Sequence, residues 1–351
     1  MSPSFQQQLG LRFPLIQAPM AGGVTTPELV AAVSNAGGLG SLGAGYLSAE
    51  ALGEAVGRVR ELSDQPFLVN LFVPPPTQPP GVAQLQAWLE RLAPYHLQLG
   101  LPPPALPVEV AEPFEEMLAA VLRLRPAVFS FAFGALEPGQ VAALHERGIR
   151  VLGTATTLEE GRMLEELHVN AVVAQGSEAG GHRGTFLGPF EAALTPTLTL
   201  TAQLGAALRV PVIASGGLMD GQDVARAMQA GAGAVQLGTA FLLCPEAGTS
   251  APYRAALQHG RESPQLMSAY SGRPARGLPN AFAREVADLP PLPYPYQHAL
   301  TRPLRAAAAR QDRPEMLSLW AGTGFRRARA LPAAELVTEL MREAAAFTTP
   351  G

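Results

Sequence analysis

Eight short apolar runs, most of them followed by a stretch of helical periodicity, constrain this chain more than any other feature. "PLIQAPM" (14–20), "GLGSLG" (38–43), "PFLVNLFV" (66–73), "AVFSFAFG" (127–134), "IRVLGTAT" (149–156), "NAVVAQG" (170–176), "VPVIASGG" (210–217) and "GAVQLGTAF" (233–241) read as buried strands. The helical stretches between them carry their own ends. Thr26 caps and Pro27 opens "ELVAAVSNAG", which stops near Gly37. Thr157 with Glu160 spells a capping box, and Asp220 with Asp223 opens a helix that ends near Gly231. Continuously apolar strands alternating with helices predict a parallel sheet covered by helices. Eight such units predict an α/β fold, a closed (β/α)8 TIM barrel. An open doubly wound sheet would want G-x-G-x-x-G after its first strand, and "APMAGGVTT" offers only Gly22 and Gly23 there.

A barrel takes about 250 residues, so a chain of 351 has a sizeable extra part. Two segments fall outside the repeat: 74–111, with "VPPPTQPPG" and "GLPPPALP", and 242–312, which follows the eighth strand. The expected division is a barrel over 1–241 carrying the proline-rich excursion, a smaller substrate or lid domain over 242–312, and a segment 313–351 that returns to the barrel.

Several chemistries are excluded. Lysine is absent and all 25 basic residues are arginine, which removes Schiff-base, pyridoxal-phosphate and Walker-type sites. The single cysteine, Cys244, allows no internal disulfide and no Cys-rich metal centre, so no metal is expected. A net charge of −4 without blocks of like charge gives no nucleic-acid footprint. "MSPSFQQQLG" lacks the basic start and apolar run of a signal peptide, and no run approaches the roughly 18 apolar residues of a membrane helix. The expectation is a soluble cytoplasmic protein with a small-molecule partner and no membrane or nucleic acid, a homodimer being compatible with it.

Active sites of such barrels lie at the C-terminal strand ends, with phosphate often bound after strands seven and eight. Here those ends read "ASGGLMDG" and "QLGTAF": Gly216 and Gly217 free backbone N–H groups, and Gly238 with Thr239 supplies the facing wall. The strand ends also carry the amides Gln17, Asn70, Gln175 and Gln236, donors and acceptors suited to the edge of a planar heteroaromatic ligand. FMN meets both requirements. Between strands lies "AQGSEAGGHRGTF" (174–186), too poor in apolar side chains to bury a core and carrying His182 and Arg183 among its glycines.

The segments "QAPMAGG", "NLFVP", "SFAFG", "AQGSEAGGHRG", "VIASGGLMDG", "VQLGTAF", "SGRPARG" and "SLWAG" resemble, in this order, the nitronate monooxygenases of class I type. The resemblance runs from about residue 13 to 325 and is poorest over 74–111. It implies an FMN-binding barrel with a smaller substrate domain, oxidising alkyl nitronates such as propionate 3-nitronate with molecular oxygen to a carbonyl product and nitrite or nitrate. It places FMN against Met20, Asn70, Gln175, Gly180 and Gly217, with the phosphate near Gln236, Leu237, Gly238 and Thr239. It makes His182 the catalytic base and sets Tyr294 and Tyr296, in "YPYQHALTRPLR", at the substrate pocket. One departure is Thr323, where the family commonly has glutamine.

The residue types suit the chemistry. A nitro group acidifies its α-carbon, so a base of near-neutral pKa can take that proton, whereas a preformed nitronate needs only positioning. Arg183 reads either as help for an anionic substrate or as a surface ion pair with nearby glutamates. The other histidines read as structural: His145 and His168 on outer helices, His96 and His259 on polar stretches, His298 near the 242–312 domain. Two alternatives stay open at this stage: an NAD(P)H-dependent flavin reductase acting on quinones or enoyl thioesters, and a non-redox flavin- or phosphate-binding protein.

Overall fold

The computed structural model describes residues 5–348; the outermost parts of the expected end segments, 1–4 and 349–351, lie outside them. Eleven strands occur in chain order among these residues. The first six are β1 (Leu15–Gln17), β2 (Gly40–Gly43), β3 (Phe67–Phe72), β4 (Val128–Ala132), β5 (Arg150–Ala155) and β6 (Ala171–Gln175). They are followed by β7 (Gly181–His182), β8 (Val212–Ser215), β9 (Ala234–Leu237), β10 (Gln265–Met267) and β11 (Ala275–Gly277). Eight of them form one parallel sheet ordered β1-β9-β8-β6-β5-β4-β3-β2, and a bridge between Ile16 and Leu39 closes the ring. This is the expected (β/α)8 barrel, each strand a few residues shorter than its apolar run. The run ends are the loops that carry function, and their glycines and prolines do not extend the ladder.

The helix ends follow their sequence signals. The Thr26 side chain accepts the Leu29 N–H and Pro27 opens the helix Pro27–Asn35, while Asp220 accepts the Asp223 N–H ahead of Gly221–Gln229. The capping box at Thr157 is only half made. Thr157 accepts the Glu160 N–H, but the Glu160 carboxylate turns away from the cap to take N–H groups from Thr156, Phe186 and Leu187. Glu160 is fully buried there and anchors the loop after β7.

The proline-rich excursion contains a long helix, Val82–Gln98. Trp88 donates its indole N–H to the Pro290 carbonyl at 2.8 Å, and Arg91 clasps Asp288 at 2.8 and 2.9 Å. Trp88, Leu92 and Leu99 thereby join residues from 242–325 in a core cluster separate from the barrel's. His96 belongs to this interior, buried with Nδ1 2.6 Å from the Pro102 carbonyl, which corrects its reading as a residue of a polar stretch. Within 242–312 the chain makes a small antiparallel sheet, β10-β11-β7, in which β7 is lent by the loop after the barrel's sixth strand.

The segment from 313 carries the last helix of the described residues. Its helix Ala333–Thr348 packs Leu336, Val337 and Leu340 against Leu29, Val33 and Val224, and Glu343 accepts the Gly221 N–H at 2.8 Å. It is the barrel's eighth helix, displaced along the sequence by everything between β9 and residue 333. No helix among the described residues is long and apolar enough to cross a membrane.

Candidate active site

A cavity of about 570 Å³ lies between the C-terminal ends of the barrel strands and the 242–320 segment. Met20, Asn70, Gln175, Gly180, His182, Gly217, Gln236, Leu237, Gly238 and Thr239 all line it. Tyr294 stands behind them, its ring 5.5 Å from Phe133 and 6.3 Å from His182. Tyr296 begins the helix Tyr296–Arg310 and packs with the second core cluster instead. Gln17 is the one strand-end amide that does not reach the cavity. It is fully buried, accepts the Ser41 N–H at 2.9 Å and donates to the Ala18 carbonyl, tying β1 to β2 where the barrel closes. Thr323 lies just outside, its N–H on the Glu178 carbonyl at 3.0 Å.

The wall has a cationic bias. Among the described residues no aspartate or glutamate lines it, whereas Arg302 and Arg305 do. At the ends of β8 and β9 the Gly217, Leu218 and Gly238 N–H groups donate to no atom of the chain among the described residues. Gly217 holds φ +70°, a conformation that turns the backbone outward and that side chains rarely adopt. Unsatisfied N–H groups beside the N-terminus of the helix Gly221–Gln229 suit an anion such as a phosphate.

The loop 174–186 is held without a core, by side chains bonded to its backbone. Arg183 is fully buried, with its guanidinium on the carbonyls of Gly176 at 2.6 Å, Gln175 at 3.1 Å and Ala193 at 3.0 Å. It is neither a surface ion pair nor a cavity residue, which corrects both readings of its sequence position. Arg273 donates to the carbonyls of Arg183 and Thr185, and Arg276 to that of Ser177 at 2.9 Å. The Gln175 amide spans the loop, donating to the His182 carbonyl at 3.0 Å and accepting the Gly184 N–H at 2.8 Å. Gly180 is glycine for a reason the motif did not disclose: a Cβ there would sit 2.5 Å from the Gly322 nitrogen. The "SGRPARG" and "SLWAG" segments thus act as clamps on the histidine loop.

His182 arrives at the cavity ringed by Phe72, Phe133, Tyr294 and Trp320. Its Nε2 is 2.8 Å from the Ser271 hydroxyl, which itself lies 3.1 Å from the Arg273 carbonyl. The hydroxyl has one proton for two acceptors; given to the carbonyl, it leaves the oxygen to accept Nε2–H and Nδ1 to keep its lone pair. Ser271 therefore sets the tautomer, a role that sequence reasoning missed because nothing local links the two residues. Burial, reinforced by Arg273 and Arg305, pushes the His182 pKa down from 6.5 to about 3. His298 is lowered in the same direction by burial and then by Arg305.

These depressed values have a consequence for stability. Both histidines stay neutral in the fold but protonate near 6.5 when released. The unfolded chain then binds protons the native state refuses, so stability is full above that pH and falls as pH drops toward the folded values. Between pH 6.5 and about 5 His182 is expected to cost up to about 2 kcal/mol, and His298 acts in the same direction. Thermal melts should show Tm declining across this window, and His182→Asn should flatten the decline; parallel declines in both proteins would contradict the assignment.

Comparison with known proteins places this arrangement. The family model described as nitronate monooxygenase matches residues 4–343. The nitronate monooxygenase of Pseudomonas aeruginosa is 45% identical over 350 residues, 98% of this chain and 99% of its own. A probable nitronate monooxygenase of Bacillus subtilis is 38% identical over 92% of this chain and 93% of its own. Among solved structures, nitroalkane oxidase from Streptomyces ansochromogenes superposes with a TM-score of 0.90 at 41% identity, covering 96% of both chains. FabK from Thermotoga maritima follows the fold at a TM-score of 0.76 and 25% identity, over 99% of this chain and 97% of its own.

Proposed function

Because the chain belongs to the nitronate monooxygenase family, and so is a flavin-dependent oxidoreductase that oxidises nitronates, we propose that its flavin is FMN and its oxidant dioxygen. The observation that carries this reading is a cavity free of acidic side chains with an anion cradle at one side and a neutral histidine at the other. FMN would lie against Met20, Asn70, Gln175, Gly180 and Gly217, its phosphate at Gln236, Leu237, Gly238 and Thr239. When bound, the flavin supplies the electron acceptor between nitronate and oxygen. The chain does the rest.

Nδ1 of His182 takes the α-proton of a neutral nitroalkane, while Ser271 and Arg273 hold the ring in the tautomer that leaves this nitrogen open. Burial and two nearby arginines disfavour the resulting imidazolium, so the base is weaker than the near-neutral one the residue type suggested, and the anionic nitronate formed beside it offsets the charge. The same arginines favour the anionic nitronate. Tyr294, Phe72 and Phe133 exclude water from the reacting carbon. Residues 242–312, with the helix Val82–Gln98 behind them, would act as the roof. Purified protein should release FMN on heating and consume oxygen with propionate 3-nitronate; no consumption by flavin-loaded protein would overturn the reading.

The flavin motifs alone also fit a nicotinamide-driven reductase, which needs a second site for a pyrophosphate. Arg273 and Arg276 are the side chains placed to make one, and both commit their N–H groups to backbone carbonyls. Excess NADH or NADPH without oxygen should therefore leave the visible absorbance unchanged over minutes. Rapid bleaching would transfer the assignment to the reductase.

A further inference from the structure

Residues 184–187 follow β7 and are held by side chains from elsewhere in the chain. Gln175 takes the Gly184 N–H at 2.8 Å, Arg273 donates to the Thr185 carbonyl, and Glu160 accepts from Phe186 and from Leu187, the latter at 2.9 Å. Glu160 is the anion of this set, fully buried in the first turn of the helix Leu158–Glu166. A glutamate at the third helical position ordinarily turns back to the N–H of its own cap. Here the carboxylate forgoes that bond, and its second oxygen takes the Thr156 N–H at 2.6 Å and lies 2.7 Å from the Thr156 hydroxyl.

Thr156 carries the link onward. Its hydroxyl lies 2.8 Å from that of Thr185; given to the carboxylate, its proton leaves the oxygen to accept the Thr185 proton. Thr185 is then held at both ends, its hydroxyl running to Glu160 and its carbonyl to the Arg273 guanidinium. Arg273 also binds the Arg183 carbonyl at 2.8 Å, and its own carbonyl lies 3.1 Å from the Ser271 hydroxyl that meets His182 Nε2. Its guanidinium stands 4.0 Å from the centre of the Phe133 ring, which lines the cavity 5.7 Å from His182. Phe133 holds φ +78°, a conformation that a bulky residue keeps only when its surroundings impose it.

Charge follows the same path. Arg183 and Arg273 are buried and donate to backbone carbonyls, which leaves two cations inside the fold. Burial pushes both pKa values down to about 10, and the Glu160 carboxylate opposes that shift in each. Charge-assisted hydrogen bonds are shorter and stronger than neutral ones, so the carboxylate fixes Thr185, and with it Arg273, more closely than an amide would.

Resting on the nitronate reading of the site, we propose that Glu160 is a positioning residue for His182: through Thr156, Thr185 and Arg273 it fixes where the imidazole stands against the α-carbon of a neutral substrate. Proton abstraction is sensitive to that placement, whereas a preformed nitronate needs only to be held.

Glu160→Gln keeps the size of the side chain but sets an amide NH2 against donors that now meet the carboxylate. In flavin-loaded protein the ratio of kcat/KM for a neutral nitroalkane over its nitronate should fall about tenfold or more, mainly through kcat. An anchor with no bearing on the histidine would lower the two activities together, so an unchanged ratio would overturn the proposal. Thr156→Val and Thr156→Ser decide the matter if the glutamine variant does not fold. Valine cuts the hydroxyl link and should lower the ratio about threefold, whereas serine keeps the hydroxyl and the parent ratio; like behaviour of the two would overturn the relay. The His182 ring Cε1–H resonance, identified by its absence from His182→Asn, gives a readout without turnover. Its displacement in Glu160→Gln or Thr156→Val and not in Thr156→Ser supports the relay even if no nitronate is oxidised, an outcome that would sink only the proposed reaction. A resonance unmoved in every variant would overturn the relay.

Discussion

His182→Asn should lose about 10³-fold in turnover of neutral nitroalkanes while keeping measurable turnover of preformed nitronates. Only the neutral substrate needs its α-proton removed, and the Ser271 contact at Nε2 leaves the other ring nitrogen of His182, a cavity-lining residue, to take it. Asparagine can still hydrogen-bond to Ser271, so the loop clamped by Arg183, Arg273 and Arg276 should stay in place and FMN content should not change. Parallel measurement of a nitroalkane and its nitronate at one pH decides the matter. Equal residual activities would show that the histidine positions the substrate and does not act as base.

Gly217→Asp should lower FMN affinity by more than about 100-fold. Three effects add at this position. Gly217 holds φ +70°, an added Cβ would meet the Glu178 Cβ at 2.8 Å, and a carboxylate would stand where unsatisfied N–H groups face the cavity. Circular dichroism separates loss of cofactor from loss of fold. A colourless but folded protein with an intact Tm transition is the expected result, and retention of stoichiometric FMN would remove the phosphate from this side of the cavity.

What the sequence made legible divides along a physical line. Short-range signals were faithful: apolar runs placed all eight barrel strands, and Thr26 and Asp220 capped the helices they announced. Glycines at the ends of β8 and β9 marked where backbone N–H groups find no acceptor among the described residues, because backbone conformation is a local property. Long-range pairings were hidden. Nothing near Glu160 says that its carboxylate will turn from its own helix to Phe186 and Leu187, and nothing near Gln17 separates a barrel-closing amide from a ligand-facing one. Ser271 escaped notice for the same reason, since it meets His182 only when a distant segment is folded against it. Arg183 was noticed but misassigned. Carbonyls exposed by a glycine-rich loop need donors, and guanidinium groups supply several at once.

The displaced eighth helix sets an order of events during synthesis. Strand β9 leaves the ribosome long before residues 333–348, so the ring of strands can form while the flank between the helices Pro27–Asn35 and Gly221–Gln229 is still bare. Leu29, Val33 and Val224 remain solvent-facing through that interval, a greasy seam open to chaperones or to another nascent copy. A message truncated anywhere within codons 242–332 would encode every strand of the barrel and each residue assigned to the flavin, and still yield a product destined for aggregation or proteolysis.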